Sequence, residues 1–302
     1  MTTPRAWVLQ KSGRRLDLLD PDPQAWTDQD LAIGLSRTYR WAGHSAWDLP
    51  LSVAQHSLTV LALREMSAAT PLAPAEALRE LCHDATEALM GGWDPITPLK
   101  PHLGPGFEAL VNRLQGAVDA RYGLPPWTPD SYALHKHADR LAAASEALHV
   151  VGWGRCDIRE SLRITLEPVL ADPLPTPAGL RPWEPWPPKL AAEMFLHRLE
   201  SLQASGQCAA LIHDVEAALT RRGLQLANLR ARTATGAAIP DTWVSVEAGD
   251  DSGSYEGLIV AGPWCPEVGW DFDADFVIFT TTYDPDGERI RVRGCNCYVE
   301  RL

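Results

Sequence analysis

Between Ala77 and Leu89 the apolar residues Ala77, Leu78, Leu81, Cys82, Ala85, Ala88 and Leu89 recur at helical spacing. This is the pattern of a helix with one buried face. A neighbouring pair, His83–Asp84, interrupts the apolar run, and Glu87 follows four residues after His83. Residues four apart share a helix face, and Asp84 falls about 100° round from His83. A histidine, an aspartate and a nearby glutamate are what a divalent cation with an activated water requires: two ligands and a proton acceptor. Three residues do not make a site by themselves, since small charged clusters commonly lie on solvated helix faces, so the rest of the chain has to supply companions.

The 302 residues suffice for one large or two ordinary domains. Lys+Arg 27 against Asp+Glu 39 leaves a net charge of −12, a poor electrostatic match for nucleic acid. Small phosphorylated ligands stay compatible with it, because a local basic pocket can form on an acidic chain. Six cysteines in a chain of this length do not make a disulfide scaffold. There is no charged start followed by an apolar stretch, and no apolar run reaches ~18 residues, so neither secretion nor membrane insertion is expected and the cytoplasm is the default location.

Read in order, Trp7 to Trp26 is extended segments and turns, and Thr27–Asp28–Gln29–Asp30 opens a short helix ending near Arg40. Arg40–Trp41–Ala42–Gly43–His44 follows as a loop. Pro50–Leu51–Ser52 opens a second helix, mostly apolar, that contains His56. The His83 helix stops at Gly91–Gly92, and the segment from Trp93 to Pro101 is too rich in proline to be helical. Helices are expected from about Gly106 to Tyr122 and from about Ser131 to Val151. The second of these buries Leu134, Ala138, Leu141, Ala142 and Leu148, and carries Asp139 and Glu146 seven residues apart on one face. Eight prolines between Glu167 and Lys189, with Trp183 and Trp186 among them, predict a stiff extended wrap. A last helix, Leu190–Leu202, reaches a boundary at Ala204–Ser205–Gly206–Gln207.

Beyond that boundary a helix, Cys208–Arg222, is followed by segments of strand character at Trp243–Val246, Leu258–Val260, Phe276–Thr282, Ile290–Val292 and Tyr298–Val299. The turn Asp284–Pro285–Asp286–Gly287 joins two of them as a hairpin. The expected architecture is an all-α helical bundle over residues 1–203, with the proline-rich wrap at 167–189. A small α+β domain with an antiparallel sheet follows over 204–302, its role unassigned.

Four separated positions in the helical half make a candidate metal site: His56, His83, Asp84 and Asp139. Two imidazoles and two carboxylates suit Mn²⁺, Fe²⁺, Co²⁺ or Zn²⁺ better than a thiolate-selecting ion. The order His … His–Asp … Asp resembles the HD-domain phosphohydrolases, an all-helical metal-dependent superfamily. The likeness extends to Arg40–Trp41–Ala42–Gly43–His44, Ser52–Val53–Ala54–Gln55–His56–Ser57, His83–Asp84–Ala85–Thr86–Glu87–Ala88, Thr97–Pro98–Leu99–Lys100, and Ala138–Asp139 with Glu146. This set is similar to the bacterial and phage branch that contains 5′-deoxynucleotidases and deoxynucleoside triphosphate triphosphohydrolases, over roughly residues 5–203.

The resemblance implies one divalent metal ion (Mn, Co, Fe, Zn or Mg) ligated by His56, His83, Asp84 and Asp139. It implies Glu87 as the residue that activates or positions the attacking water, and Asp94 as the acid toward the leaving group. Arg40 and Lys100 would meet phosphate oxygens, and Trp41 would shape the sugar and base pocket. The chain departs from the pattern at Gly91–Gly92–Trp93–Asp94, about two residues longer than the family's element before Pro–Leu–Lys. The implied function is hydrolysis of a nucleotide, foremost removal of phosphate from deoxynucleoside monophosphates. The alternatives are release of triphosphate from a deoxynucleoside triphosphate, and a nucleotide-binding sensor without hydrolysis. A nucleotide or deoxynucleotide is then the partner, with no nucleic acid or membrane, and self-association is left open.

Other polar groupings read as structure. His213–Asp214 has no companions at helical spacing, and His135 and His137, two apart, point away from one another. Asp271, Asp273 and Asp275 fit a solvated strand edge, and Cys295–Asn296–Cys297 lacks the second pair that a zinc ribbon needs.

Overall fold

The computed structural model describes residues 6–221 and the strands within 243–301, with side chains as far as residue 206 apart from 97 and 98. The chain separates into two units, Met1–Gln203 and Ala204–Leu302.

The first unit is mostly helical, as its periodicity predicts. A hairpin of β1 (Trp7–Leu9) and β2 (Arg15–Asp17) leads into α1 (Asp28–Arg37). Thr27 caps α1 through a reciprocal pair of bonds. The Asp30 N–H donates to the Thr27 hydroxyl at 3.0 Å, and the Thr27 N–H donates to the Asp30 carboxylate at 2.9 Å. Ser52 caps α2 (Val53–Ser67) with a single bond, accepting from the Gln55 N–H. Then come α3 (Pro74–Leu81), α4 (Ala85–Leu89), α5 (Gly104–Tyr122), α6 (Pro129–Glu146), α7 (Arg155–Ser161) and α8 (Pro188–Arg221). Leu31, Leu35, Leu81, Leu114, Phe195 and Leu199 fill the core around the fully buried Trp26. Each such side chain stabilises the fold by about 1.5–3 kcal/mol through burial. Gly34 lets α1 and α4 approach closely: a Cβ placed there would lie 2.9 Å from that of Ala88.

The structure corrects several expectations. The helix expected across 77–89 is two, α3 and α4, parted at Cys82–Asp84, where Cys82 and Asp84 have ψ near zero. There the carbonyls of Cys82 and Asp84 accept from residues only three ahead, Ala85 and Glu87. The proline-rich segment before α5 contains a 3₁₀ turn, Thr97–His102; Pro98 sits in its first turn, where a missing N–H costs nothing. Arg40–Gly43 is likewise a tight turn with Trp41 and Ala42 both left-handed. Leu134 faces solvent, 51% exposed, whereas Ala138 and Ala142 of the same helix are buried. α6 ends at Glu146 and passes into a wider π-helical turn, Ala147–Val151, closed by left-handed Gly152. The two helices expected on either side of 204–207 are one, α8; an interior glycine costs a helix only about 1 kcal/mol.

The proline-rich segment is pinned to α2. Gln55 donates from Nε2 to the Glu184 carbonyl at 3.2 Å and accepts from the Trp186 N–H at 2.8 Å. Trp183 and Trp186 are both buried. Among the described residues no helix is long and apolar enough to cross a membrane.

In the second unit β3 (Trp243–Ala248), β4 (Gly253–Ala261), β5 (Gly269–Trp270), β6 (Phe276–Thr280), β7 (Glu288–Val292) and β8 (Cys297–Arg301) form one antiparallel sheet in the order β5-β8-β3-β4-β6-β7. β6 and β7, the strands flanking the expected turn at 284–287, pair from Phe276 with Val292 to Thr280 with Glu288. The turn itself, the side chains of His213–Asp214, the acidic triplet 271–275 and Cys295–Asn296 lie outside the described residues.

Candidate metal centre

Three helical positions bring polar side chains to one point. α2 carries His56, fully buried among Val53, Ala54 and Val60. The break between α3 and α4 carries His83 and Asp84, and α6 packs on α2 to bring Asp139. His56 Nε2 lies 3.5 Å from Asp84 Oδ2 and 3.5 Å from Asp139 Oδ1, and His83 Nε2 lies 3.2 Å from Asp84 Oδ2. One ligand atom from each of His56, His83 and Asp84 fits within 4.8 Å of the others, a group that could hold a metal ion.

Both Nε2 atoms are buried without a hydrogen-bond partner, and the opposite nitrogens are taken. His83 Nδ1 sits 2.7 Å from the Glu80 carbonyl, which can only accept, so this nitrogen carries the proton and Nε2 the lone pair. His56 Nδ1 sits 2.6 Å from Glu146 Oε1, which orients its ring in the same sense. Carboxylate or carbonyl support behind a ligating imidazole is the usual arrangement around a metal. Burial and Arg40 work against a charge on His56, yet Glu146 and Asp139 prevail and push its pKa up to about 9, so a cation bound at Nε2 would take the place of a proton. Burial opposes the charges of Asp84 and Asp139 as well, and the two histidines hold both far below the ordinary carboxylate range. So many carboxylates around two imidazoles call for added positive charge, and a divalent cation fits that donor set.

The remaining predicted residues line the same place. Glu87 is buried on α4 with Oε2 unpartnered, and its other oxygen is 3.6 Å from Lys100 Nζ. Burial, then Asp84 and Asp94, push its carboxyl well above the ordinary glutamate value. Arg40 stands between two carboxylates, 3.2 Å from Asp94 Oδ2 and 3.5 Å from Glu146 Oε2, and these hold it charged against its burial. Trp41 donates from Nε1 to Glu146 Oε2 at 3.3 Å and lies 5.9 Å from the Trp153 ring. All nine predicted residues thus fall in one region.

Three further residues belong to this network: Glu146, placed by its spacing on the face of Asp139 but given no role there, and Glu80 and His135. Glu146 joins His56, Arg40 and Trp41. Glu80 accepts from Arg64 Nε at 3.0 Å through one oxygen and meets His135 Nδ1 at 2.7 Å through the other. The His135 ring packs edge-on against His83 at 4.8 Å and stacks on Trp127 at 4.6 Å. Reading His135 and His137 as pointing apart holds: the first is buried and the second exposed. The signal available in the sequence was spacing, since Glu146 is two turns from Asp139 and His135 one turn before it.

Fold and site together define a mostly helical unit that offers a histidine–aspartate group suited to a divalent cation. No protein-family model matches the chain. Over 155 residues, 51% of its length, it is 41% identical to an uncharacterized protein of Rhodobacter capsulatus, 77% of which is covered. The chain belongs to the same family as that protein.

Proposed function

We propose that the helical unit is an HD-type, metal-dependent phosphohydrolase acting on nucleotides, foremost a 5′-deoxynucleotidase. The observation that carries the reading is the pair of unpartnered imidazole Nε2 atoms of His56 and His83, facing Asp84 and Asp139, with Glu87 Oε2 also unpartnered beside them. His56, His83, Asp84 and Asp139 would hold the cation, which supplies Lewis-acid polarisation and lowers the pKa of water. Glu87 takes the proton of the attacking water; burial and its acidic neighbours Asp84 and Asp94 raise its carboxyl, which strengthens it as a base. Arg40 offers a fork of N–H donors to phosphate oxygens and Lys100 a mobile point charge, 44% exposed. Both stabilise the negative charge that spreads over the equatorial oxygens. Asp94, paired with Arg40, is the acid toward the leaving oxygen, and Trp41 borders the sugar and base.

The test is phosphate release from mono-, di- and triphosphate nucleotides with Mn²⁺, Co²⁺ and Mg²⁺. Free phosphate from deoxynucleoside monophosphates alone is the expected result. Tripolyphosphate, detected only after a pyrophosphatase is added, would identify a triphosphohydrolase at the same centre. No release from any nucleotide with any of the three metals would overturn the assignment.

A further inference from the structure

A second cluster of charge lies outside the metal centre. α6 and the segment after α7 enclose a concavity of about 390 Å³ lined by Lys136, His137, Arg140, Arg163 and Thr165, with no acidic residue in its lining. This is the local inverse of a chain whose net charge is −12. Arg155 and Arg159 on α7 both lie against Glu167. By contrast the side chains of His137, Arg140 and Arg163 have no ion-pair or hydrogen-bond partner among the described residues. Lys136 is shared, because its ammonium also meets Asp139 one turn on.

The backbone adds an independent observation. Arg163 follows Leu162, the C-cap of α7, and adopts a left-handed conformation with φ 55°. That position after a helix favours glycine, and a side chain there costs about 1 kcal/mol. Two arginines and a lysine around one hollow suit an anion with several acceptor oxygens.

We propose that Lys136, His137, Arg140 and Arg163 form an anion site for a polyphosphate group, distinct from the metal centre and adjoining it through Lys136. The group would be either the distal phosphates of a nucleotide held at the metal or those of a second phosphorylated ligand. Only that choice of source rests on the phosphohydrolase reading.

The test is calorimetric titration of the full chain with inorganic tripolyphosphate in metal-free buffer. Arg40 and Lys100 of the metal centre are already paired with carboxylates, and the loss of heat in variants of the hollow, rather than the heat alone, reports binding there. One tripolyphosphate per chain is expected, held less tightly as salt rises. Arg140→Ala and Arg163→Gly should each weaken it by about tenfold or more. Arg163→Gly removes the charge while relieving the backbone, so it should melt no lower than the parent and cannot be dismissed as misfolded. No binding, or binding unchanged in both variants, would overturn the site. The source follows from titrating deoxynucleoside triphosphates into Mn²⁺-loaded Glu87→Gln. One nucleotide per chain, weakened by both Arg163→Gly and Arg40→Ala, assigns the substrate's own phosphates. A second nucleotide lost only in Arg163→Gly assigns a separate ligand. Absence of nucleotide binding would count against the phosphohydrolase reading while leaving the tripolyphosphate result in force.

Discussion

Nδ1 of His56 stands 2.6 Å from Oε1 of Glu146, and the other oxygen of that carboxylate meets both Arg40 and Trp41. One buried side chain therefore ties a metal-facing imidazole to the cation proposed to grip phosphate and to the indole proposed to border the nucleoside. Glu146→Ala should weaken Mn²⁺ binding by about 10- to 100-fold, the usual cost of losing support behind a ligating histidine. Glu146→Gln, whose amide oxygen can still accept a hydrogen bond from His56 Nδ1–H, should lose less. Calorimetry with Mn²⁺ measures both, and equal affinity in Glu146→Ala and the parent would remove Glu146 from the site.

Asp84 and Glu87 should separate binding from turnover. Asp84→Ala is expected to abolish metal binding and hydrolysis together, because its carboxylate lies against both imidazoles. Glu87→Ala should keep the metal and lose about two to four orders of magnitude in rate. Metal content by mass spectrometry, read beside phosphate release, checks the pair; an active Asp84→Ala with normal metal content would contradict the ligand set.

The cap of α1 gives a pH-dependent contribution whose sign can be worked out. Burial raises the Asp30 carboxyl, but hydrogen bonds from Ser12 and Thr27 outweigh it and leave the pKa lowered. Its contribution is thus present above the unfolded value near 3.8 and is lost as pH falls through the lower folded value. Asp30→Asn should be less stable than the parent by about 1 kcal/mol at pH 7, with the difference shrinking below about pH 4. Urea unfolding across that range measures it, and a difference that grows on acidification would reverse the assignment.

Gly34→Ala sets two effects against each other. Alanine in a helix interior gains about 1 kcal/mol over glycine. Here its Cβ would lie 2.9 Å from Ala88 Cβ, and overpacking of that kind typically costs 1–3 kcal/mol. Net destabilisation by urea unfolding is expected, and since Ala88 adjoins Glu87, the rate should fall with it. A variant more stable than the parent would show that α1 and α4 have room to separate.

Thiol chemistry should distinguish the two cysteines of the helical unit. Cys82 is buried, and burial together with Asp28 pushes its thiol up to about 12, whereas Cys156 is exposed. Iodoacetamide at pH 8 followed by peptide mapping should label Cys156 and spare Cys82 until the chain is unfolded. Equal labelling in the native protein would mean that α3 opens readily.

Much of the helical unit was legible because local signals agreed with the packing. Thr27 and Ser52 announce their helices, Gly123 ends α5, and His56 sits in an apolar helix as its neighbours imply. His56, His83, Asp84, Asp139 and Glu87 were nameable from their residue types and setting, whereas Arg40, Trp41, Asp94 and Lys100 came only from the resemblance of the ordered motifs. Periodicity failed where tertiary contacts overrule propensity. The apolar pattern runs unbroken through Cys82, yet the backbone turns there so that His83 Nδ1 reaches the Glu80 carbonyl. Leu134 keeps helical phase with Ala138 and Ala142, but those two pack with Val60 and Leu63 of α2 whereas Leu134 meets water.

The sequence by itself determined that the first unit is mostly helical, that Thr27 and Ser52 open helices, and which residue types could ligate a cation, because each of these rests on a local pattern. Only the tertiary structure decided that Glu146 backs His56, that Glu80 and His135 brace His83, and that Lys136, Arg140 and Arg163 share one hollow. Those pairings join residues as far as 90 positions apart. What a buried carboxylate supports is set by whichever helix packs against it, and no local pattern carries that information.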